Sequence, residues 1–309
     1  MITAKVNVVL VNYKAVSKTL DCVQALCKGT ILPECIYIVD NACSAESRKD
    51  FEQIASSGTS TPIKLIFNEQ NLGFAAACNQ GIAASFAKSL AKDERNTCED
   101  SDFVWLLNND TIPSETALEK LLEKAKETDA AITGSKILDA KGNYSGGVGK
   151  IHPFFASVHR ANQDEAEFDY VEGSSMLISR ECVQKIGLMS EDYFLYFEES
   201  DYCSKAKDAG LSLAWATDSI INHDIGTSTG SEIGKGSVPY FIDCIMIRNR
   251  IHFASRNRIP KIGIAAGFII SLLLRVKRLQ WKRVLKILQI TLCRHSFKKF
   301  VLNNGGYIK

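Results

Sequence analysis

The 309-residue sequence predicts an α/β fold whose central sheet is covered by helices on both faces. Three observations carry this reading. Short β-branched apolar runs recur, helix-like stretches separate them, and several of the runs end in Asn or Asp. In such sheets ligands sit outside the carboxyl ends of the strands, so the polar strand ends mark where a site belongs.

The elements follow in order. VNVVLVN (6–12) reads as the first strand and leads into a helix-like stretch to about residue 28. CIYIVDNAC (35–43) and IKLIFN (63–68) are further short strands. NLGFAAACNQGIAASFAKSL (71–90) reads as a glycine turn entering an Ala-rich helix. After the polar segment 91–101, expected as an exposed loop, DFVWLLNNDT (102–111) is a fourth strand. A helix near 114–128 should start at Pro113-Ser114, with Glu115 in its first turn. Residues 140–170 are Gly-rich and are expected as an irregular loop bordering the site. VEGSSMLISRECVQKIG (171–187) predicts a strand and a helix, and WATDSIINHDIGTS (215–228) a last strand through His223.

The overall charge of +2 conceals two different halves. Met1 to Asp243 holds 22 Lys+Arg against 35 Asp+Glu, while Cys244 to Lys309 holds 15 Lys+Arg and no acid. Within that tail IGIAAGFIISLLL (262–274) is uncharged, but thirteen residues fall short of the roughly 17–25 that span a bilayer. The following RVKRLQWKRVLKILQITL is basic and amphipathic with a tryptophan, which suits an anionic membrane interface. A helix packed on the domain is the alternative. The expected division is a catalytic domain over 1–240 and a helical, basic, membrane-interface extension over 241–309. The ten cysteines show no CxxC or Cys/His metal spacing and read as reduced and mostly buried, in a cytosolic setting with no signal peptide.

Four clusters have chemical potential. Asp40-Asn41 ends a strand, where a carboxylate can accept a hydrogen bond from a pyrimidine N–H or simply cap a turn. Asn108-Asn109-Asp110 ends another, and a carboxylate there can ligate a hard divalent cation that also grips diphosphate oxygens. One carboxylate makes a poor metal site, and His223, also at a strand end, is the candidate second ligand. Asn71-Leu72-Gly73-Phe74, with Asn79 and Gly81 beyond, is a candidate phosphate-cradling turn, though it matches neither a dinucleotide fingerprint nor a P-loop. Lastly, FLYFEESDYC (194–203) sets Glu198, Glu199 and Asp201 among aromatic residues, where unpaired carboxylates are costly.

Together these elements resemble the family 2 glycosyltransferases of the GT-A fold, especially the rhamnosyltransferase-like branch that builds bacterial surface polysaccharides. The resemblance rests on VVLVNYK (8–14), IVDNAC (38–43), NLGFAAACNQGI (71–82), WLLNNDT (105–111), VEGSSMLISRE (171–181), FLYFEESDYCSKAKDAG (194–210) and NHDIGTS (222–228), in family order. RNRIHF (248–253) looks like the family's C-terminal RN segment. The resemblance implies a mixed, mainly parallel GT-A sheet and assigns roles at matching positions. Asp40 would bind the nucleotide base, with Asn12 and Tyr13 walling the same pocket and Asn41, Asn71, Gly73, Phe74 and Asn79 completing the donor side. Asn108, Asn109 and Asp110 occupy the DXD position, Asn108 replacing the first acid and leaving Asp110 as the acidic ligand of Mg²⁺ or Mn²⁺. His223 would complete the metal site. Glu199 takes the place of the general base, where relatives more often have Asp, and Glu198 is the fallback.

The expected activity is therefore an inverting transfer from a nucleoside diphosphate sugar, dTDP-rhamnose first and UDP-hexoses behind it, to a hydroxyl of a lipid-linked saccharide. The chain would work in the cytoplasm, at the inner face of the membrane, through its C-terminal segment; homo-oligomerisation stays open. A non-catalytic nucleotide-sugar-binding protein is one rival. A nucleotidyltransferase is another, but it should show an N-terminal Gly-rich loop with a basic residue, and VNYKAVSKTL (11–20) has no glycine. No nucleic-acid partner is expected, because the basic tail carries too much contiguous aliphatic surface.

Overall fold

A computed structural model describes residues 4–42, 44–86, 101–223 and 238–308. The main sheet has the order β3-β2-β1-β4-β11-β6-β12-β5, with β7 pairing β6. Its strands are β1 (Val6–Asn12), β2 (Cys35–Asp40), β3 (Ile63–Phe67), β4 (Phe103–Asn108), β5 (Thr111–Pro113), β6 (Ile132–Leu138), β7 (Tyr144–Gly146), β11 (Ser175–Ser179) and β12 (Leu213–His223). β1 to β4 pair in parallel, and so do β6 and β12; β11 runs against both its neighbours and β5 against β12. The sheet is mixed and mainly parallel. The register places Asn12 opposite Asp40 and Val11 opposite Asn108, so the polar strand ends lie side by side.

Each face of the sheet buries its own core, which explains why β1 and β2 are apolar on both sides. Helices α1 (Val16–Leu26), α2 (Ala45–Ser56) and α4 (Ala117–Thr128) cover one face with Val23, Phe51 and Leu121. Helices α3 (Phe74–Ser85), α5 (Arg180–Ile186) and α6 (Glu198–Asp208) cover the other with Ile82, Val183 and Tyr202. Gly81 is what lets α3 lie so close: a Cβ there would stand 2.4 Å from the Val9 side chain.

Two expectations need correction. Residues 140–170 are not one irregular loop. They form β7, β8 (Val148–Ile151) and β9 (Val158–Arg160), and the last two join β10 (Tyr170–Val171) in a small antiparallel sheet. Their glycines served as a loop signal, yet Gly147 and Gly149 make room for close neighbours, a Cβ at Gly147 meeting the Ser135 carbonyl and one at Gly149 the Tyr170 ring. Helix α4 starts at Ala117, because Pro113 is held in β5 opposite Ile221 and Glu119, not Glu115, lies in the first turn. Most of segment 91–101, together with residues 224–228 after His223, lies outside the described residues. Of the described cysteines six are buried, Cys27 is half-buried and Cys293 is exposed.

Helices α7 (Tyr240–Arg256), α8 (Lys261–Lys277), α9 (Trp281–Leu292) and α10 (Arg294–Leu302) complete the chain. Their inner side is a true core: Cys244, Ile245, Ile287, Ile290, Phe297 and Phe300 pack around Phe194. Asp243 pairs with Arg275 and Arg283, which ties α7 to α8 and α9. Gly263, Gly267 and Ser271 form the buried stripe of α8. Their outer side stays open, with Ile262, Ile269, Leu273, Leu279, Trp281, Leu285 and Leu292 all more than half exposed. Among the described residues no helix is long and apolar enough to cross a membrane. Beyond α10 the chain returns to the turn before α3, where Tyr307 N–H donates to the Asn71 carbonyl at 2.7 Å.

Candidate active site

The strand ends on the β1–β2–β4 side are joined by one buried hydrogen-bond network. Asp40 is 1% exposed, and its Oδ1 accepts from Asn12 Nδ2 at 2.9 Å and from Ala42 N–H at 3.1 Å. Its Oδ2 accepts from Ser47 Oγ at 2.6 Å, presented by α2 one turn after the Ser44 N-cap. Asn12 Oδ1 accepts in turn from Ala15 N–H and Thr19 Oγ1, and Asn109 Nδ2 donates to Thr19 Oγ1 at 2.8 Å. Asn12 and Asn109 therefore sit inside the network. Tyr13, 39% exposed with the Lys14 ammonium 5.2 Å from its ring, is the part of this strand end that faces outward.

The glycine turn is not a phosphate cradle. Leu72 N–H is taken by Asn41 Oδ1, Gly73 N–H by Asn71 Oδ1, and Phe74 N–H by the Phe194 carbonyl at 2.7 Å. Gly73 has φ 85°, and a Cβ on it would meet the Phe194 carbonyl at 2.4 Å, so only glycine fits. Two of the turn's amides are thus spent on side chains of Asn41 and Asn71, and the third docks the segment around Phe194. Asn41 Nδ2 ties the turn to β2 through Asn71 Oδ1 and the Gly73 carbonyl. Asn79 is likewise occupied, exchanging hydrogen bonds with the Met189 backbone at 2.9 and 3.0 Å.

At the ends of β4 and β12, His223 Nε2 lies 3.1 Å from Asp110 Oδ1, and both side chains are nearly buried. A carboxylate and an imidazole in contact are donors suited to one Mg²⁺ or Mn²⁺, ions that take few protein ligands and fill the rest with phosphate and water. Among the described residues no group of three His, Cys, Asp or Glu offers a fuller cage. Asn108 flanks the pair, its carbonyl accepting from Thr111 Oγ1 at 2.7 Å.

The acids of α6 are unlike those of the strand ends. Phe197 precedes the helix in the left-handed region, and Glu198 and Glu199 open its first turn. Glu198 is 3% exposed, and its Oε2 has no hydrogen-bond partner among the described residues. Burial, with the Glu199 charge beside it, holds its carboxyl well above the usual range. Burial pushes Glu199 up to about 7, against the helix-start amides of Glu199 and Phe197, which pull it down. Asp201 is engaged instead, accepting from Tyr193 Oη at 3.0 Å and facing Lys205 Nζ at 2.9 Å.

One acid of this region escaped the sequence reading. Glu172 accepts from Arg160 Nε at 3.0 Å and from Gly147 N–H at 3.2 Å, which braces the small sheet. It lies within electrostatic reach of both Glu199 and His223, and so connects the start of α6 with the end of β12. VEGSS (171–175) contains it, but a single Glu in an apolar strand context has no spacing that marks it. Ser47 and Thr19, which hold Asp40 and Asn109, carried no signal either, since both read as ordinary helix residues.

A mixed, mainly parallel sheet with these polar strand ends and an acid pair opening a helix defines an α/β fold of the GT-A type. The chain belongs to the glycosyltransferase-like family 2, whose model matches residues 4–234. It is 25% identical over 188 residues to the low-salt glycan biosynthesis hexosyltransferase Agl10 of Haloferax volcanii, covering 57% of this chain and 54% of that protein. The chain thus spans about half the length of that curated relative. Its fold is shared with GalNAc-T7 solved with UDP, GalNAc and Mn²⁺ (TM-score 0.59, 16% identity, 82% of this chain and 48% of that one). It is shared as well with TarS 1–349 of S. aureus in complex with UDP-GlcNAc (TM-score 0.55, 14% identity, 96% and 80%). A third match is the mannosyltransferase PcManGT of Pyrobaculum calidifontis with GDP-Man and Mn²⁺ (TM-score 0.54, 10% identity, 97% and 87%).

Proposed function

We propose that this chain is an inverting glycosyltransferase that moves a sugar from a nucleoside diphosphate sugar to a hydroxyl of a saccharide acceptor. The observation that carries this is Glu199, a carboxylate lifted to about 7 by burial and joined through the charge of Glu172 to His223 of the Asp110–His223 pair. A base with its pKa near working pH is the most effective kind, contributing about 10²–10⁴-fold. Glu199 takes the acceptor hydroxyl proton while the acceptor oxygen bonds to the anomeric carbon. The bond from that carbon to the diphosphate breaks on the opposite face, which inverts the centre and releases the nucleoside diphosphate. Asp40 and Tyr13 receive the base of the donor, one by hydrogen bonding and the other by stacking. A divalent cation on Asp110 and His223, when bound, neutralises charge on the diphosphate.

Rhamnose from dTDP-rhamnose is the first donor to test, because the motifs resemble the rhamnosyltransferase branch; UDP-galactose and UDP-N-acetylglucosamine follow. We assign residues 1–240 to the catalytic domain and 241–309 to a helical extension that rests on the cytoplasmic face of an anionic membrane. The exposed Ile262, Leu273, Trp281 and Leu285, on a segment free of acids, support that placement and a lipid-linked acceptor. The test is a thermal-shift panel of these donors with Mn²⁺, then turnover by wild type and Glu199→Gln. Stabilisation by a pyrimidine donor and turnover lost in Glu199→Gln are expected. Equal turnover in both forms removes Glu199 as base, and no response to any pyrimidine nucleotide defeats the assignment.

A further inference from the structure

The segment that delivers Glu198 and Glu199 has an unusual backbone. Phe194, Tyr196 and Phe197 have φ of 68°, 69° and 78°, a region that non-glycine residues rarely adopt and large aromatic ones least of all. Nothing in FLYF favours this locally, so the surroundings must impose it. The consequence is direct. The turned backbone aims the N–H groups of Tyr196 and Phe197 at the carboxylates of Glu198 and Glu199, respectively.

What imposes it is one amide on α7. Asn249 is fully buried, and its Nδ2 donates to the carbonyls of Tyr193 at 2.9 Å, Leu195 at 2.9 Å and Tyr196 at 3.0 Å. Its orientation is not free. Asn249 Oδ1 accepts from Arg248 Nη1 at 3.0 Å, and the same nitrogen donates to the Asp192 carbonyl at 2.8 Å. The Arg248 guanidinium lies 3.9 Å from the Phe297 ring of α10, which fixes it in turn. Arg294 grips the Asp192 carboxylate at 2.6 Å. The Phe194 carbonyl points the other way, to Phe74 N–H. The segment is therefore stretched between the Gly73 turn and the C-terminal helices, with Asn249 at the centre of the second anchor.

We propose that Asn249, oriented by Arg248, is a positioning residue that holds the Tyr193–Phe197 backbone so that Glu199 meets the acceptor hydroxyl. This rests on the role of Glu199 stated above. It also gives the C-terminal helices a task beyond any membrane contact: they complete the catalytic loop. Asn249→Asp keeps the size of the side chain but replaces its donor with an acceptor facing three carbonyls. A shift of about 1 Å in a reacting group can cost on the order of 10²-fold in rate.

Hydrogen exchange of the full chain, read by mass spectrometry, tests the clasp without any substrate. Asn249→Asp is expected to accelerate exchange in residues 192–199 while β1 and β2 remain as in wild type. Arg248→Met, which keeps packing on Phe297 but frees the amide, should give the same local change more weakly, and it serves if the first variant does not fold. Under turnover, kcat should fall by roughly 10–100-fold with the donor KM within about twofold, the signature of lost transition-state positioning. Unchanged exchange in 192–199 overturns the proposal, and so does acceleration spread evenly over the sheet, which marks a merely structural residue. If wild type turns over no nucleotide sugar, the functional reading fails, while the exchange data still decide the clasp.

Discussion

At the end of β2 the buried carboxylate of Asp40 is met by Asn12, Ser47 and Ala42, whereas at the start of α6 Glu198 keeps an oxygen buried with no partner among the described residues. Both acids are almost inaccessible. The first is held as a fixed hydrogen-bond acceptor, whereas burial in the second region makes the carboxyls keep their protons more tightly than free Glu does. Three donors satisfy the oxygens of Asp40, while desolvation at Glu198 outweighs its backbone hydrogen bonds and favours the neutral form. The protein thus holds two kinds of buried acid, one at the end of β2 and one at the start of α6. The difference lies in what α2 and the 193–197 segment offer, not in the residue types.

The largest expected effect falls on the base side. Glu199→Gln should lower kcat by about 10²–10⁴-fold with donor binding intact, measured by nucleoside diphosphate release. Next comes the metal pair: Asp110→Asn should weaken Mn²⁺-dependent binding of the nucleoside diphosphate by at least about tenfold, read by calorimetry, since it removes the acidic ligand. On the satisfied side the effect should appear in stability. Asp40→Ala leaves Asn12 Nδ2 and the Ala42 N–H without their acceptor and should cost about 3 kcal/mol in denaturant unfolding. A small loss there would mean that the network is looser than its distances indicate.

The pH dependence sharpens the contrast further. Glu199 is raised from its ordinary 4.5 to about 7, so between those values the folded chain binds more protons than the unfolded one. Stability from this group is present below about pH 4.5 and is lost as pH rises through 7, whereas activity rises over the upper part of the same window. A Tm profile that declines in that window, and flattens in Glu199→Gln, checks the sign. The smallest effect belongs to Glu198→Gln. Burial holds this carboxyl above its usual range, so the unfolded chain ionises first, and removing the titration should raise Tm slightly over wild type as pH climbs.

Much of this was legible in the residues. The alternation of apolar runs gave away the sheet, and Asp40, Asp110 and His223 were found because they follow such runs directly. Periodicity and strand-end polarity are local, and local signals survive in sequence. Three things were not visible. The 140–170 region hides short strands behind its glycines, because a glycine demanded by a close crossing looks the same as one demanded by a turn. The Asn71–Phe74 turn looks like a phosphate site until Asn41, Asn71 and, more than a hundred residues on, the Phe194 carbonyl are seen to occupy its amides. Asn249 stands out in the sequence only as part of the RNRIHF segment, with no role marked, and its three acceptors lie some fifty residues earlier in the chain.

By itself the sequence determined the α/β class, the strand ends that carry the acids and the split between an acidic body and a basic tail. Hydrophobic period, turn chemistry and charge are properties of neighbouring residues, and they need no partner to be read. Tertiary structure alone decided which acids are paired, how far Glu199 is lifted and what the tail does for the catalytic loop. Burial and hydrogen bonding between distant segments set those properties, and both depend on which surfaces meet.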